Sequence, residues 1–442
     1  MNIIKINDTS NKLYYIGGVV RDELLGRKSR DIDITYVGNA IEYCSKFGKV
    51  IRENPDFGTV QIEVWRDRGL EVWQFNNTIN INSQTNNSSV IDFASTRSES
   101  YPRKGHLPVV DKIGCSLKED VMRRDFTVNA LAKSVATGEI IDYTGGLEDL
   151  KNKKLRVLHD ESFIDDPTRI IRGLKFSVRF GFELEEHTKK LQEEYLNNIN
   201  YDMSYKRVKK ELVETFNLNS QLAFEKFINE KIYKLVTPND VRLPKVNIEK
   251  LVEKYILEAE QPRSETAESD IIDLFINGFT FCSSERFSDY LSCIAAWLLS
   301  CLAFDNNHTS KPPYLHTSVW LIYVGVLGDL SRLPLTKTEQ KILDDVPKIE
   351  PKTDFEIYKM FENLRIESIL LYAILKNESI VRHYLDDLCG IKIEITGDDL
   401  KNLGIEPSPE YQKIFDTVLK EKLKNPNMTK SDELKIVKNK FS

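Results

Sequence analysis

The sequence predicts an α+β chain, with an N-terminal mixed β-sheet and helices over residues 1–150 followed by an all-helical remainder. Up to about Leu150, short β-prone runs alternate with stretches at helical spacing; beyond it the pattern turns helical with few strand signals. At 442 residues the chain is long enough for a large core and roughly two to four domains or subdomains.

The stretch Tyr14 to Tyr36 sets the frame. Tyr14-Tyr15-Ile16 is β-prone, Gly17-Gly18 allows a tight turn, and Val19 to Leu25 runs at helical spacing with Gly26 as a stop. Asp31-Ile32-Asp33 then lies on an apolar-flanked strand. A helix near Asn39–Phe47 follows, and then a strand through Thr59–Trp65, where Val60, Ile62 and Val64 alternate with Gln61 and Glu63. Asn76–Ser89 reads as a surface insertion rich in Asn, Ser and Thr, and is assigned no function. Val90–Ala94 is strand-like and carries Asp92. Thr96–Val110 has the charge, Pro and Gly content of a mobile loop. In Asp165–Phe180, Pro167 suits a first helical turn with Asp165 or Asp166 as cap, and Asp166, Arg169, Arg172 and Lys175 recur every three residues along one side of the helix. Ser204–Phe216 is a basic helix whose Arg207, Lys209 and Lys210 either meet phosphates or form a solvated face. Glu258–Asp270 reads as an acidic linker, Glu285 to Leu388 as helical, and Lys420 to Lys440 as a Lys-rich amphipathic end.

The chemistry is concentrated early. Turn amides at a helix start favour an anion, so Gly17-Gly18 would cradle a phosphate chain. Asp31 and Asp33 face one side of a strand about 6–7 Å apart, and two carboxylates so placed converge on hard cations. Turn, helix and paired carboxylates in that order suit nucleotide transfer from a metal-bound triphosphate.

Composition narrows the alternatives. Apolar content of 41% and charged content of 29% are ordinary for a globular protein, and a net charge of −6 argues against a uniformly basic nucleic-acid coat. Any RNA grip must be local. The six cysteines are scattered with no CxxC pair, as expected of reduced thiols in a cytosolic protein. Tyr290–Phe304 and Tyr314–Leu330 are too short or interrupted for membrane spans and read as buried helices. No zinc spacing, Walker loop, GxSxG elbow or Rossmann fingerprint is present. His159-Asp160 stands alone, without the second His-Asp pair that a metal-dependent phosphohydrolase would need.

GGVVRD followed by DID resembles the opening of the class II tRNA nucleotidyltransferases and bacterial poly(A) polymerases, within the polymerase-β-like nucleotidyltransferase superfamily. Arg123-Arg124-Asp125-Phe126-Thr127-Val128-Asn129-Ala130 is similar to the family's RRDFTxNA segment, Asp142 to Leu150 to its D-x-x-GG-x-x-DL segment, and Asp165 to Arg172 to its EDPxRxxR segment. Thr396 to Pro409 resembles the C-terminal GxDLxxLGxxPGP segment of tRNA nucleotidyltransferases, with Ser408 in place of a Gly. The resemblance implies attack of an RNA 3′-hydroxyl on a nucleotide α-phosphate, with two Mg²⁺ ions held by Asp31 and Asp33. Asp92 is the candidate third carboxylate; alternatively it only pairs with Arg97 or Arg103. It also implies that Gly17, Gly18 and Arg21 line the triphosphate, and that Arg124 and Asp125 hold sugar and phosphate, with Asn129 in the same segment. Asp166 and Arg169 would read the base edge, supported by Arg172 and Lys175. The family has Glu where Asp165 stands, and often Arg where Lys175 stands.

By the same resemblance, residues 1–150 would be a catalytic head, 151–215 a neck with the base-reading helix, 216–388 a helical body and 389–442 a tRNA-binding tail. The implied activity is template-independent building or repair of the tRNA 3′-CCA end from CTP and ATP, with tRNA as partner and no membrane. Relatives that add only CC, only A, or a poly(A) tail share the head motifs. A catalytically silent RNA-binding relative is disfavoured by the intact Asp31/Asp33 pair.

Overall fold

The computed structural model describes residues 2–6, 10–29, 33–65, 70–74, 88–257 and 318–441. Asp31, most of the Asn76–Ser89 insertion, Glu258–Asp270 and Tyr290–Phe304 lie outside the described residues. The chain divides into two compact units. The first comprises residues 1–215, 225–239 and 331–334; the second comprises 216–224, 240–330 and 335–442.

The first unit is built on a seven-stranded mixed sheet. In chain order its head contains β1 (Asn2–Ile6), β2 (Leu13–Ile16), α1 (Gly18–Leu24), β3 (Asp33–Tyr36), α2 (Ala40–Cys44), β4 (Lys49–Asn54), β5 (Thr59–Trp65), β6 (Leu70–Gln74) and β7 (Ser88–Ser95). There follow β8 (Arg97–Ser100), β9 (Val109–Ile113), α3 (Leu117–Met122), β10 (Ala132–Ser134), β11 (Ile140–Ile141) and α4 (Gly146–Lys151). The sheet order is β11-β10-β2-β3-β7-β5-β4; β1 pairs with β6, and β8 with β9, as separate two-stranded ribbons. Only β3 and β7 run parallel within the large sheet; the remaining neighbours are antiparallel.

Alternation along the strands decides the faces. Ile34, Val60, Ile62, Ile91 and Phe93 turn inward and close on Ala40 and Cys44 of α2. α2 starts as the pattern requires, with the Asn39 side chain accepting from the Ile41 and Glu42 amides. The D-x-x-GG segment proves to be a helix start: the Asp142 carboxylate accepts from the amides of Thr144, Gly145, Gly146 and Leu147. Gly146 is required there, because an added Cβ would lie 2.3 Å from the Thr127 carbonyl oxygen. Gly146→Ala is therefore expected to cost about 1–3 kcal/mol and lower the melting temperature by several degrees in a thermal scan.

Beyond the head the first unit is helical, apart from a two-residue parallel pair, β12 (Lys154–Leu155) with β13 (Glu183–Leu184). Its helices are α5 (Ser162–Asp165), α6 (Thr168–Phe180), α7 (Glu186–Asn197) and α8 (Tyr205–Phe216). Ile170, Ile171, Leu174, Phe176 and Phe180 bury one stripe of α6, and Gly181 in the left-handed region ends it. The described part of the second unit is helical. Its buried apolar helices Val319–Val324 and Ile366–Leu375 contact each other, and a terminal cluster of Ile395, Leu400, Ile414, Val418 and Val437 is closed by a Lys422–Glu433 ion pair. Among the described residues no helix is long and apolar enough to cross a membrane.

Candidate active site

Sheet register brings the catalytic candidates together. Asp33 on β3 pairs directly with Asp92 on β7, and Asp92 with Gln61 on β5, so the three occupy one row across adjacent strands. Both aspartates are exposed while their strand neighbours Ile34, Ile91 and Phe93 are buried, so the row lies on the open face. Gln61 Nε2 donates to Asp92 Oδ1 at 3.1 Å. The alternative partners for Asp92 are committed elsewhere: Arg97 pairs with Glu99, and Arg103 with Asp202. Sequence reading overlooked Gln61, whose only signal was its place on the polar face of β5. Asp31 lies outside the described residues, and among those described no group of three or more His, Cys, Asp or Glu side chains is placed to hold a metal ion.

The glycine turn stands beside this row. Gly17 has φ 74°, and its amide donates to the Leu131 carbonyl at 3.0 Å. An added Cβ at Gly17 would lie 2.7 Å from Arg124 Nη1. Arg124 reaches Asp120 Oδ2 at 3.4 Å, lies within electrostatic range of Asp33, and leaves a buried Nε without a hydrogen-bond partner. Its burial lowers the guanidinium pKa. Gly18 starts α1 and would bring a Cβ within 3.5 Å of Arg21 Nη2.

Arg21, expected to line a triphosphate, is instead buried at 4% exposure. It pairs with Asp22 at 2.6 Å, donates to Asn129 Oδ1 at 2.5 Å, and stacks its guanidinium 4.3 Å from the Phe180 ring centroid. Asn129 donates onward to Asp125 Oδ1 at 2.9 Å, and Arg172 closes on Asp125 Oδ2 with two bonds of 2.6 and 2.9 Å. Arg172 also meets Glu211, which with Glu214 takes Lys175 at 2.8 and 2.6 Å. Asp22, Arg21, Asn129, Asp125, Arg172, Glu211, Lys175 and Glu214 thus form one continuous polar chain linking α1 to α6 and α8. Burial pushes the Asp125 carboxyl up, but the Arg172 guanidinium and the Asn129 and Arg172 hydrogen bonds outweigh it and hold it at about 2. The same carboxylate raises the Arg172 pKa.

The base-reading candidates are also engaged. Asp166 lies just before α6, whose N-cap position is Pro167; its Oδ1 accepts from the Thr168 amide and hydroxyl, while Oδ2 pairs with Arg207. Arg169 donates to Ser162 Oγ, to the Arg123 carbonyl at 3.0 Å and to the Tyr101 hydroxyl at 3.3 Å. A cleft of about 450 Å³ opens over Arg169, bounded by Tyr101, Arg123, His159 and Asp165. Burial lowers the His159 pKa.

Two sequence expectations are corrected. Thr96–Val110 is a hairpin, not a mobile loop: Arg97–Ser100 pairs with Val109–Ile113, and the tip is tied to residues 161–204. Gly105 exchanges backbone bonds with Asp165 and Ser204, Arg103 pairs with Asp202, and Lys104 pairs with Glu161 and Asp165. Arg207, expected on an RNA-facing or solvated surface, is turned inward to Asp166 and the His106 carbonyl.

Comparison with known proteins places this arrangement. Residues 13–156 match the model of the poly A polymerase head domain. Over these residues the chain is similar to that head domain. Over nearly its whole length, the chain is similar to the A-adding tRNA nucleotidyltransferase of Geobacter sulfurreducens, 30% identical over 96% of the chain and 44% of that protein's length. That of Aquifex aeolicus is 41% identical over 42% of the chain and 20% of its own length. The chain therefore spans about a fifth and under half of these two relatives. In fold, it is similar to the Thermotoga maritima CCA-adding enzyme complexed with tRNA, at TM-score 0.62 and 23% identity, covering 98% of this chain and 92% of that one. The α+β head followed by helices, expected from the sequence, is the fold observed.

Proposed function

We propose that the chain is a template-independent RNA nucleotidyltransferase that completes the 3′ end of tRNA from nucleoside triphosphates, releasing pyrophosphate. The observation that carries this reading is the in-register Asp33–Asp92 pair on an open sheet face, with the Arg124 guanidinium at the adjacent glycine turn. Two neighbouring carboxylates are hard oxygen donors of the kind Mg²⁺ takes, and Asp31 is the further ligand expected from the sequence. Asp33, Asp92 and Asp31 would hold Mg²⁺, which when bound supplies Lewis-acid polarisation of the α-phosphate and a lower pKa for the attacking hydroxyl.

The chain's own groups account for the rest. Arg124, with an unsatisfied buried donor, suits a triphosphate oxygen. Asp125 and Arg21, tied to Arg172, Asn129 and Asp22, shape the turn beside Arg124. Asp166 and Arg169 present a carboxylate acceptor and a guanidinium donor, a pairing suited to C and A, which both carry an amine beside a ring acceptor. Arg172 and Lys175 hold α6 against α8. The first unit holds the catalytic head with its neck, and the helices of the second unit serve as body and tail for the tRNA.

Relatives matching nearly the whole chain are named A-adding enzymes, which favours addition of the terminal A to a CC end. A second reading, addition of all of CCA, is favoured by likeness to CCA-adding enzymes at TM-score 0.65. Labelled ATP and CTP, offered separately and together with Mg²⁺ to tRNA ending at the discriminator base, at C, at CC and at CCA, separate the two. A-only addition to the CC end is expected. Ordered growth from the discriminator base to CCA would install the second reading, and unlimited A addition to unrelated RNA would overturn both.

A further inference from the structure

We propose that Arg207 is a positioning residue for base selection, holding the Asp166 carboxylate in its reading orientation and bridging it to the tip of the β8–β9 hairpin. The inference rests on the reading of Asp166 as a base-edge acceptor. Asp166 is buried, at 5% exposure, and is gripped from two sides. Its Oδ1 takes the Thr168 amide at 3.1 Å and hydroxyl at 2.6 Å, and its Oδ2 takes Arg207 Nη2. Turning the carboxylate would break both sets together. The second arm of the same guanidinium, Nη1, donates to the His106 carbonyl at 3.2 Å. A planar fork can serve both acceptors at once; an ammonium on a flexible stem cannot.

The hairpin end of this bridge is anchored independently of Arg207. Arg103 and His106 both close on Asp202, at 2.6 and 3.1 Å. The Gly105 carbonyl accepts from the Ser204 amide at 2.9 Å. Gly105 has φ +77°, and a Cβ there would come within 2.9 Å of the Asp202 carbonyl oxygen. The carbonyl that Arg207 reaches therefore has a defined place. Removal of Arg207 leaves Asp166 as a buried carboxylate without its cation, held only on its Oδ1 side by Thr168 and so less firmly fixed in the direction it would present to a base.

The test compares the full-length chain with Arg207→Met, Arg207→Lys, Asp166→Ala and the Asp166→Ala/Arg207→Met double variant. The acceptor is tRNA ending in CC, and the readout is the ratio of kcat/KM for ATP to that for GTP. Arg207→Met is expected to lower this ratio about tenfold or more, and Arg207→Lys to lower it about threefold, because it keeps the charge but loses the fork. The double variant should discriminate no worse than Asp166→Ala alone, since both changes act through one carboxylate. A ratio unchanged in Arg207→Met while Asp166→Ala loses discrimination overturns the inference, as does additivity in the double variant. Should Arg207→Met fail to fold, an unchanged ratio in Arg207→Lys has the same force. An unchanged ratio in Asp166→Ala overturns the base-reading assignment itself, and this inference with it.

Discussion

Asp33→Ala is expected to reduce nucleotide incorporation about 1000-fold or more while tRNA binding, followed by fluorescence anisotropy, changes little. Loss of a carboxylate that holds a catalytic cation forfeits several kcal/mol of transition-state stabilisation, and each 1.36 kcal/mol is about tenfold in rate. Asp92→Ala should fall by a similar factor, since the two side chains are direct cross-strand neighbours. The effect on stability should be small or of opposite sign. Both side chains are exposed, and like charges directly opposed on adjacent strands repel, so neutralising one relieves about 0.2–1 kcal/mol. An active Asp33→Ala enzyme would remove the proposed metal site. A large drop in melting temperature with proportionate loss of tRNA binding would reassign Asp33 to folding.

Asp125→Ala should show the converse pattern, a large loss of stability. Its carboxylate accepts from the Phe126 amide, Asn129 and both arms of Arg172, so truncation strands a mostly buried guanidinium and two further donors. Breaking such a pair from one side costs about 3–5 kcal/mol, and a melting temperature lower by about 10 °C is expected for the first unit. The pH dependence follows from the depressed pKa. Folding holds the carboxyl at about 2, below the ordinary 3.8, so the stabilisation is complete above the unfolded value and drains away as pH falls through the folded one. It amounts to about 2 kcal/mol in the wild type, lost between roughly pH 4 and pH 2. The gap between wild type and variant in melting curves at stepped pH should narrow toward the acid end. Parallel curves over that window would show that the Arg172 pairing contributes little.

Much of this was legible in the sequence because it is local. The strand from Leu13, the Gly17 turn, the helix to Leu24 and the Asn39 cap each depend on residues within a few positions, where periodicity and cap chemistry speak directly. The exposed position of Asp92 was legible because its strand alternates, whereas its candidacy as a third carboxylate came from the family resemblance. The partners of the charged groups were not legible. Arg21 meets Asn129 from 108 positions away, Arg103 meets Asp202 from 99, and Arg172 meets Asp125 from 47. Spacing along a chain carries no record of which cation closes on which anion. The hairpin after Thr96 was misjudged for the same reason. Its charges look like those of a solvated loop until Asp165 and Asp202 are brought under them.

The polar chain from Asp22 to Glu214 has a consequence for ionic conditions. Its inner members sit where dissolved counter-ions barely reach them, whereas exposed lysines on the helices beyond it are screened within about 10 Å at 0.1 M salt. Raising the salt should therefore weaken the hold on a polyanion steeply while leaving the arrangement around the glycine turn intact. Under the proposed function, release of a finished RNA and upkeep of the reacting geometry would become separable, so that letting go need not loosen the glycine turn.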